Sequence, residues 1–279
     1  MWSIVSDSSC DLRNSDFKSD TIHFETAPLR IRVGEQEFID NDELKTPELM
    51  KAMRDSKAAS STSCPSPAAY ARAFAKADQT ICFTISGNLS GSYNAALQGR
   101  ELALESHPDK QICVIDSKST AGAMVLLIRK AKALIEAGVG QFNEICDELR
   151  TYQASLRTCF TLESYDNLIK NGRMRPLVGT LLHTLGIHVI AVGTSEGKIQ
   201  VIGKARGEDK TRKFIVNSMA GSKDCTGAKV LIHHCENLTG AVKLKELILK
   251  ELPVKSVEIA ACRGLTSFYA MEKGLIVGY

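Results

Sequence analysis

The sequence is expected to fold as an α/β protein of two domains. An N-terminal α/β domain over residues 1–153 would carry a mostly parallel sheet with helices on both faces. A C-terminal mixed α/β sheet domain over 154–279 would follow, with a ligand in the cleft and tunnel between them. Three observations lead to this. Up to about Gln153, short apolar runs of strand length alternate with helical stripes, the pattern of a helix-wrapped parallel sheet. Beyond it, the runs His188 to Val192 and Lys198 to Ala205 flank Gly193 to Gly197 and read as an antiparallel pair. And 279 residues suffice for one large or two ordinary domains.

Taken in order, Ser3 to Ser6 is a short strand that stops at Asp7-Ser8-Ser9-Cys10-Asp11, where Asp or Ser can cap the next helical turn. Thr21 to Phe24 and Leu29 to Val33 read as strands, and Gly34-Glu35 turns the second into a hairpin with Gln36 to Asp40. Thr46-Pro47 opens a helix through Ser56, with proline at its first position. Thr62 to Pro67 reads as a small-residue loop before a helix over Ala68 to Ala77. The buried-looking run Thr80 to Ile85 leads into a second such loop, Ile85 to Ser92, and a helix from Tyr93 to Leu104. Gln111 to Asp116 is a strand, and Ala121 to Ala137 a long helix stopped by Gly138. Phe142, Ile145, Cys146 and Leu149 stripe a helix over Gln141 to Gln153. In the second half, strands are expected at Arg157 to Leu162, Lys229 to His234, Ser256 to Ala261 and Leu275 to Gly278. Helices are expected at Tyr165 to Lys170, Glu208 to Met219 and Gly240 to Leu252, with a turn or short helix over Gly264 to Lys273.

The two small-residue loops carry the functional signal. A strand, a small-residue loop and a helix present free backbone N–H groups and a positive helix end to a ligand. Ser and Thr hydroxyls add donors. Two such loops would hold one small anionic group. Taken without further context, each feature has a plainer reading: Gly-rich turns are common, Asp7, Asp11 and Asp116 suit helix caps better than a metal, and Tyr70 and Tyr93 suit helix packing.

Composition removes several classes. The chain is 44% hydrophobic and 24% charged, with a formal charge of +3; no basic run with interleaved aromatics points to nucleic acid. Nine scattered cysteines without a C-x-x-C or a zinc spacing suit a reducing compartment. The start lacks the pattern of a signal peptide, and the apolar stretch Leu177 to Val192 is interrupted by Gly179, His183, Gly186 and His188, so neither secretion nor stable membrane insertion is expected. A cytoplasmic protein is. No Walker A, G-x-G-x-x-G, H-E-x-x-H or G-x-S-x-G pattern occurs. No catalytic residue, metal or cofactor is therefore assigned.

Several of these segments resemble the DegV family. They are Ile4-Val5-Ser6-Asp7-Ser8-Ser9-Cys10-Asp11-Leu12, Thr62-Ser63-Cys64-Pro65-Ser66-Pro67, Ile85-Ser86-Gly87-Asn88-Leu89-Ser90-Gly91-Ser92-Tyr93, Val114 to Thr120, Asn171-Gly172-Arg173 and Lys204-Ala205-Arg206-Gly207. They occur in family order along nearly the whole chain. The resemblance implies a bacterial lipid-binding protein, not an enzyme. It would hold one long-chain fatty acid without a covalent bond and present the carboxylate to a fatty acid kinase for lipid synthesis. Carried over by motif, Thr62 and Ser90 would hydrogen-bond the carboxylate, with Ser63, Ser86, Gly91 and Ser92 nearby. Arg173 and Arg206 would lie near the cleft, one of them touching the kinase or its phosphate. Leu177, Leu181, Leu182 and Leu185 would wall the acyl tunnel. Where the family carries Gly-x-His-Thr-Gly-Pro-Gly, this chain reads Ala261 to Phe268 without a histidine, which would bring Arg263, Thr266 or Ser267 near the carboxylate instead. The competing reading is an enzyme or binding protein for a small phosphorylated metabolite gripped by the same loops.

Overall fold

The computed structural model describes residues 1–175 and 186–279. Four parallel strands form the N-terminal sheet in the order β2-β1-β6-β7: β1 (Trp2–Asp7), β2 (Ile22–Ala27), β6 (Gln79–Thr84) and β7 (Gln111–Asp116). Alternation along these strands gives each face its own core. Ile4, Ile81, Phe83, Cys113 and Ile115 pack under α4 (Ala121–Glu136) and α5 (Phe142–Ser155). Val5, Cys82, Ile112 and Val114 pack under α2 (Pro67–Phe74) and α3 (Ser92–Ser106). Helices thus cover both faces, as near-continuous apolar strands require.

A small antiparallel sheet, β4-β3-β5, sits beside it. Its strands are β3 (Arg30–Val33), β4 (Gln36–Ile39) and β5 (Ser60–Ser63), with α1 (Thr46–Asp55) between the last two. Here the structure departs from expectation: Thr62 and Ser63 lie on a strand, not in a loop. Ser60 to Ser63 has no apolar residue to announce a strand, but β3 offers it a pairing edge, with Ile31 opposite Thr62.

The C-terminal half builds a six-stranded mixed sheet in the order β10-β9-β8-β13-β11-β12. The strands are β8 (Thr158–Thr161), β9 (Ile187–Gly193), β10 (Ile199–Arg206), β11 (Lys229–His234), β12 (Ser256–Ala261) and β13 (Leu275–Gly278). Only β11 and β12 pair in parallel; the expected antiparallel pair is β9 with β10. One face packs Cys159, Ile190, Ile232 and Val277 against α7 (Glu208–Ser222) and α8 (Leu238–Glu251). The other face carries Phe160, Val189, Ala191 and Ile276; α6 (Asp166–Lys170) and α9 (Gly264–Ala270) lie on that side and complete the described helices.

The two halves meet where α4 crosses β13 and β11. A Cβ on Gly278 would stand 2.1 Å from the Ala123 nitrogen, and one on Gly122 2.7 Å from the Leu231 carbonyl oxygen. Only glycine permits so close an approach. No helix among the described residues is long and apolar enough to cross a membrane.

Candidate functional site

A cavity of about 830 Å³, its mouth included, lies between the N-terminal sheet's C-terminal edge and the open face of the second sheet. Ligand sites of open α/β sheets lie outside the carboxyl ends of the strands for topological reasons. The strand-end loops supply Ile85, Leu89 and Ser90 after β6, and Lys118, Ser119 and Thr120 after β7. Opposite them, β8 and β13 contribute Thr158, Phe160 and Ile276, and α9 contributes Leu265, Thr266, Tyr269 and Ala270.

The lining is mostly carbon: Leu29, Ile85, Leu89, Phe160, Leu162, Leu168, Ile199, Leu265, Ala270 and Ile276 all face it. The described lining residues include three cations, Lys118, Arg173 and Lys198, and no Asp, Glu or His. Such a space suits an apolar body with an anionic end.

Thr62 and Ser90 both border the cavity. The Thr62 hydroxyl lies 2.9 Å from the Tyr269 hydroxyl, so α9 and β5 share one polar corner. Ser90 Oγ accepts the Ser92 N–H at 3.2 Å, which fixes its lone pair and leaves its proton to donate elsewhere. Arg173 also borders the cavity, and its Nε donates to the Leu89 carbonyl at 3.0 Å, tying the end of α6 to the second loop.

Other expected site residues are placed differently. Ser63 is exposed and does not line the cavity, because strand alternation turns it away from the face that Thr62 occupies. Ser86 is wholly buried; its hydroxyl donates to the Gly197 carbonyl at 2.7 Å and so locks the second loop to the β9–β10 connection. Ser92 is likewise buried, its Oγ 2.6 Å from both Asp7 Oδ2 and the Tyr70 hydroxyl. Gly91 caps α3 from the solvent side. Arg206 is exposed at the end of β10, away from the lining. Arg263 is buried but bound elsewhere: its guanidinium donates to the Leu12 and Asn41 carbonyls and stands 3.5 Å from Asp42. Of the three residues at the missing histidine's place, Thr266 alone reaches the cavity; Ser267 and Arg263 face a separate open groove. Leu177, Leu181, Leu182 and Leu185 lie outside the described residues.

The sequence reading missed Tyr269, Lys118, Ser119, Thr120, Thr158 and Lys198. Tyr269 had a usable signal, since it stands three residues beyond Thr266 and four beyond Leu265 on one helical face. Thr158 and Lys198 had none, because only the closing of the second sheet over the loops brings them there.

The three aspartates at strand ends hold backbone in place. Asp7 accepts the N–H groups of Ser9 and Ile85, and burial pushes its carboxyl above the usual range against those bonds. Asp116 accepts the N–H groups of Gly87 and Lys118 and so shapes both neighbouring loops. Asp11 accepts the Arg263 N–H at 3.0 Å. Among the described residues, no three His, Cys, Asp or Glu side chains gather as a metal set.

The family model described as "Uncharacterised protein, DegV family" matches residues 1–274. The chain belongs to the DegV family. A DegV domain-containing protein of Streptococcus gordonii is 38% identical over 279 residues, covering 100% of this chain and 98% of that protein. Among solved DegV-like structures, the Streptococcus pneumoniae Fatty Acid Kinase (Fak) B3 protein loaded with linoleic acid superposes with a TM-score of 0.95 at 35% identity, over 100% of this chain and 98% of the other. A DegV family protein from Eubacterium eligens loaded with heptadecanoic acid gives 0.92 at 32% identity, over 100% and 99%. The mixed α/β architecture described above is the one these fatty-acid-loaded proteins share.

Proposed function

We propose that this DegV protein is a carrier of one long-chain fatty acid, bound without a covalent link. One observation carries the reading: an apolar cavity is bordered by the hydroxyl residues Thr62, Tyr269 and Ser90, the first two with their hydroxyls 2.9 Å apart, and has, among its described lining residues, three cations and no acid. Similarity to proteins crystallised with linoleic and heptadecanoic acids supports it. A C16 chain brings roughly 15 apolar carbons, and burial at about 0.8 kcal/mol per CH₂ gives about 12 kcal/mol gross. Association and ordering take back several kcal/mol. Charge-assisted hydrogen bonds of roughly 1.5–3 kcal/mol each offset the desolvation of the carboxylate. The tail thus supplies affinity and the hydroxyls supply orientation.

In this reading Thr62 and Ser90 donate to the carboxylate, Tyr269 orients the Thr62 hydroxyl, and Arg173 adds positive potential. A carrier needs no nucleophile or base of its own, and the protein acts by presenting its acid to a fatty acid kinase. The resemblance to a Fak B3 protein supports such a partner, and exposed Arg206 is available for the contact. The chain divides near residue 153, in the last turn of α5, where it leaves the first sheet for the second, and it works in the cytoplasm. A small phosphorylated metabolite would leave most of the carbon lining without an apolar partner.

The test is direct. Protein expressed in bacteria is expected to release a saturated or monounsaturated fatty acid on denaturing extraction, identified by mass spectrometry. A lipid-free extract from well-folded protein, together with no binding of added palmitate or oleate, would sink the carrier reading.

A further inference from the structure

A second hollow, of about 570 Å³ with its opening included, adjoins the apolar cavity. Its lining is polar: Lys118, Gln153, Arg157 and Thr194 border it, with no Asp, Glu or His among the described lining residues. Lys118, Ser119, Thr158 and Gly193 line both spaces and so form the partition between them.

Backbone contacts hold that partition in place. The Ser119 N–H donates to Ser117 Oγ at 3.2 Å, and the Ser119 carbonyl accepts the Ser86 N–H at 3.0 Å. Asp116 accepts the Lys118 N–H at 2.9 Å. Lys118 itself has φ of 50°, in the left-handed region that residues other than glycine seldom enter and that clusters at functional sites. Gly197 passes directly over it, since a Cβ there would stand 3.0 Å from the Lys118 Cα. Thr158 opens β8 opposite Gly278 of β13, and strand alternation puts it on the same face as Phe160, towards the cavity.

The backbone of both residues is thus committed, but their hydroxyls are not. Ser119 Oγ and Thr158 Oγ1 are buried without a hydrogen-bond partner, and Thr158 as a whole is only 7% exposed. Buried hydroxyls are ordinarily paired, and an unmade bond is costly. A plain alkyl chain offers neither of them a partner. Thr266 Oγ1 is unpartnered too, but it stands three residues before Tyr269 on α9 and so beside the Thr62 corner. Ser119 and Thr158 come from other elements and mark a second polar place on a wall otherwise made for carbon.

The geometry points to a second polar subsite, in which Ser119 and Thr158 bind an oxygen carried on the acyl chain, so that the protein accepts long-chain fatty acids bearing a hydroxyl or a second carboxylate. This rests on the carrier reading above and adds the ligand class to it. Lys118, on the same partition, supplies the charge that a second carboxylate would need.

The experiment displaces a fluorescent fatty acid from the delipidated full chain with matched acids: stearate against 12-hydroxystearate, and palmitate against 16-hydroxypalmitate and hexadecanedioate. A wall of carbon alone would reject the added oxygen by roughly 10- to 100-fold. At least one oxygenated acid is expected to bind within threefold of its plain counterpart or more tightly. Thr158→Val should then lower that ratio of affinities by about 10-fold. Lys118→Gln should lower it further for hexadecanedioate if the second group is a carboxylate, and leave it in place for the hydroxy acids if it is a hydroxyl; either result supports the subsite. Rejection of all three oxygenated acids while palmitate binds would overturn this inference alone, as would a ratio that Thr158→Val does not move. If no acid of either kind binds, the carrier reading falls and this one with it. The comparison of acids on the unaltered chain needs no variant to fold.

Discussion

Asp11 shows how much a single buried carboxyl can record. Its Oδ1 accepts the Arg263 N–H, and its Oδ2 lies 3.8 Å from Nε2 of the buried His233. Burial pushes the Asp11 carboxyl up to about 8, assisted by Asp40 and opposed by the Arg263 N–H and charge. Burial also pushes His233 down to about 3, with His234 and Arg129 adding to it. The folded chain holds the Asp11 proton more tightly than the unfolded one. That contribution to stability is full below the ordinary value of 3.8 and is lost as pH rises to about 8. His233 has the opposite sign: its contribution is lost as pH falls from 6.5 towards 3. Asp11→Asn is expected to raise the melting temperature at about pH 8 and to lose that advantage progressively as pH falls towards 3.8, where the unfolded carboxyl begins to bind its proton as well. Thermal unfolding across that range checks it; an advantage constant with pH would exclude the carboxyl as its source. At the polar corner, Thr62→Val with Ser90→Ala should weaken fatty acid binding roughly 10- to 1,000-fold, the scale of losing two hydrogen bonds to a charged group. Titration with a fluorescent fatty acid reads this, and unchanged affinity would take the headgroup away from that corner.

Among the elements, α9 matters most to the cavity because it carries Leu265, Thr266, Tyr269 and Ala270 into the wall. Its start is held from the other half of the chain. Asp40, just past β4, accepts the N–H groups of Gly264 and Leu265 at 3.1 and 2.9 Å. Asp40→Ala leaves both donors without that partner and should cost about 2 kcal/mol of stability, read as a lower urea midpoint. The contact of α4 with β13 is equally demanding. Gly278→Ala would drive a methyl into the backbone at Ala123, and a loss of about 3 kcal/mol is expected from overpacking that only a backbone shift can relieve. A variant as stable as the parent would mean that α4 can move off β13. The element that escaped the sequence reading, β5, did so for a physical reason. Ser60-Ser61-Thr62-Ser63 has no apolar alternation, and its strand state comes from hydrogen bonds to β3. That one change of state also turns Ser63 away from Thr62.

For the molecule as a whole, binding and folding are linked because the cavity's walls come from both halves. A ligand that binds only the folded state at 100 times its dissociation constant stabilises it by about 2.7 kcal/mol. For a chain of this size a rise in melting temperature of roughly 5 °C is expected on adding long-chain fatty acid to delipidated protein. A short-chain acid of the same charge should give far less, since the apolar carbons carry most of the gain. An equal shift from acetate would point to the polar corner alone. Lys118 and Lys198 illustrate what folding adds at this scale. They come from the β7 and β9–β10 connections and line one cavity because the second sheet closes over the strand-end loops; there they give it positive potential, which neither the Val114 to Thr120 segment around Lys118 nor the residues around Lys198 announce.

The chain's own order of residues determined the alternation of strands and helices, the two apolar faces of the parallel sheet, and the small-residue loop after β6 that carries Ser90. Those are local properties: periodicity, caps and turns act over a few residues, so they can be read a few residues at a time. Tertiary structure alone decided which hydroxyls remain available. Ser86 and Ser92 are consumed by Gly197 and Asp7, Arg263 is drawn to Leu12, Asn41 and Asp42, and Tyr269 arrives beside Thr62 from 207 residues away. A hydroxyl or guanidinium has a limited set of hydrogen bonds to make, and in a buried place they go to whatever partner the packing brings within about 3 Å. Partners so distant in sequence leave no local trace.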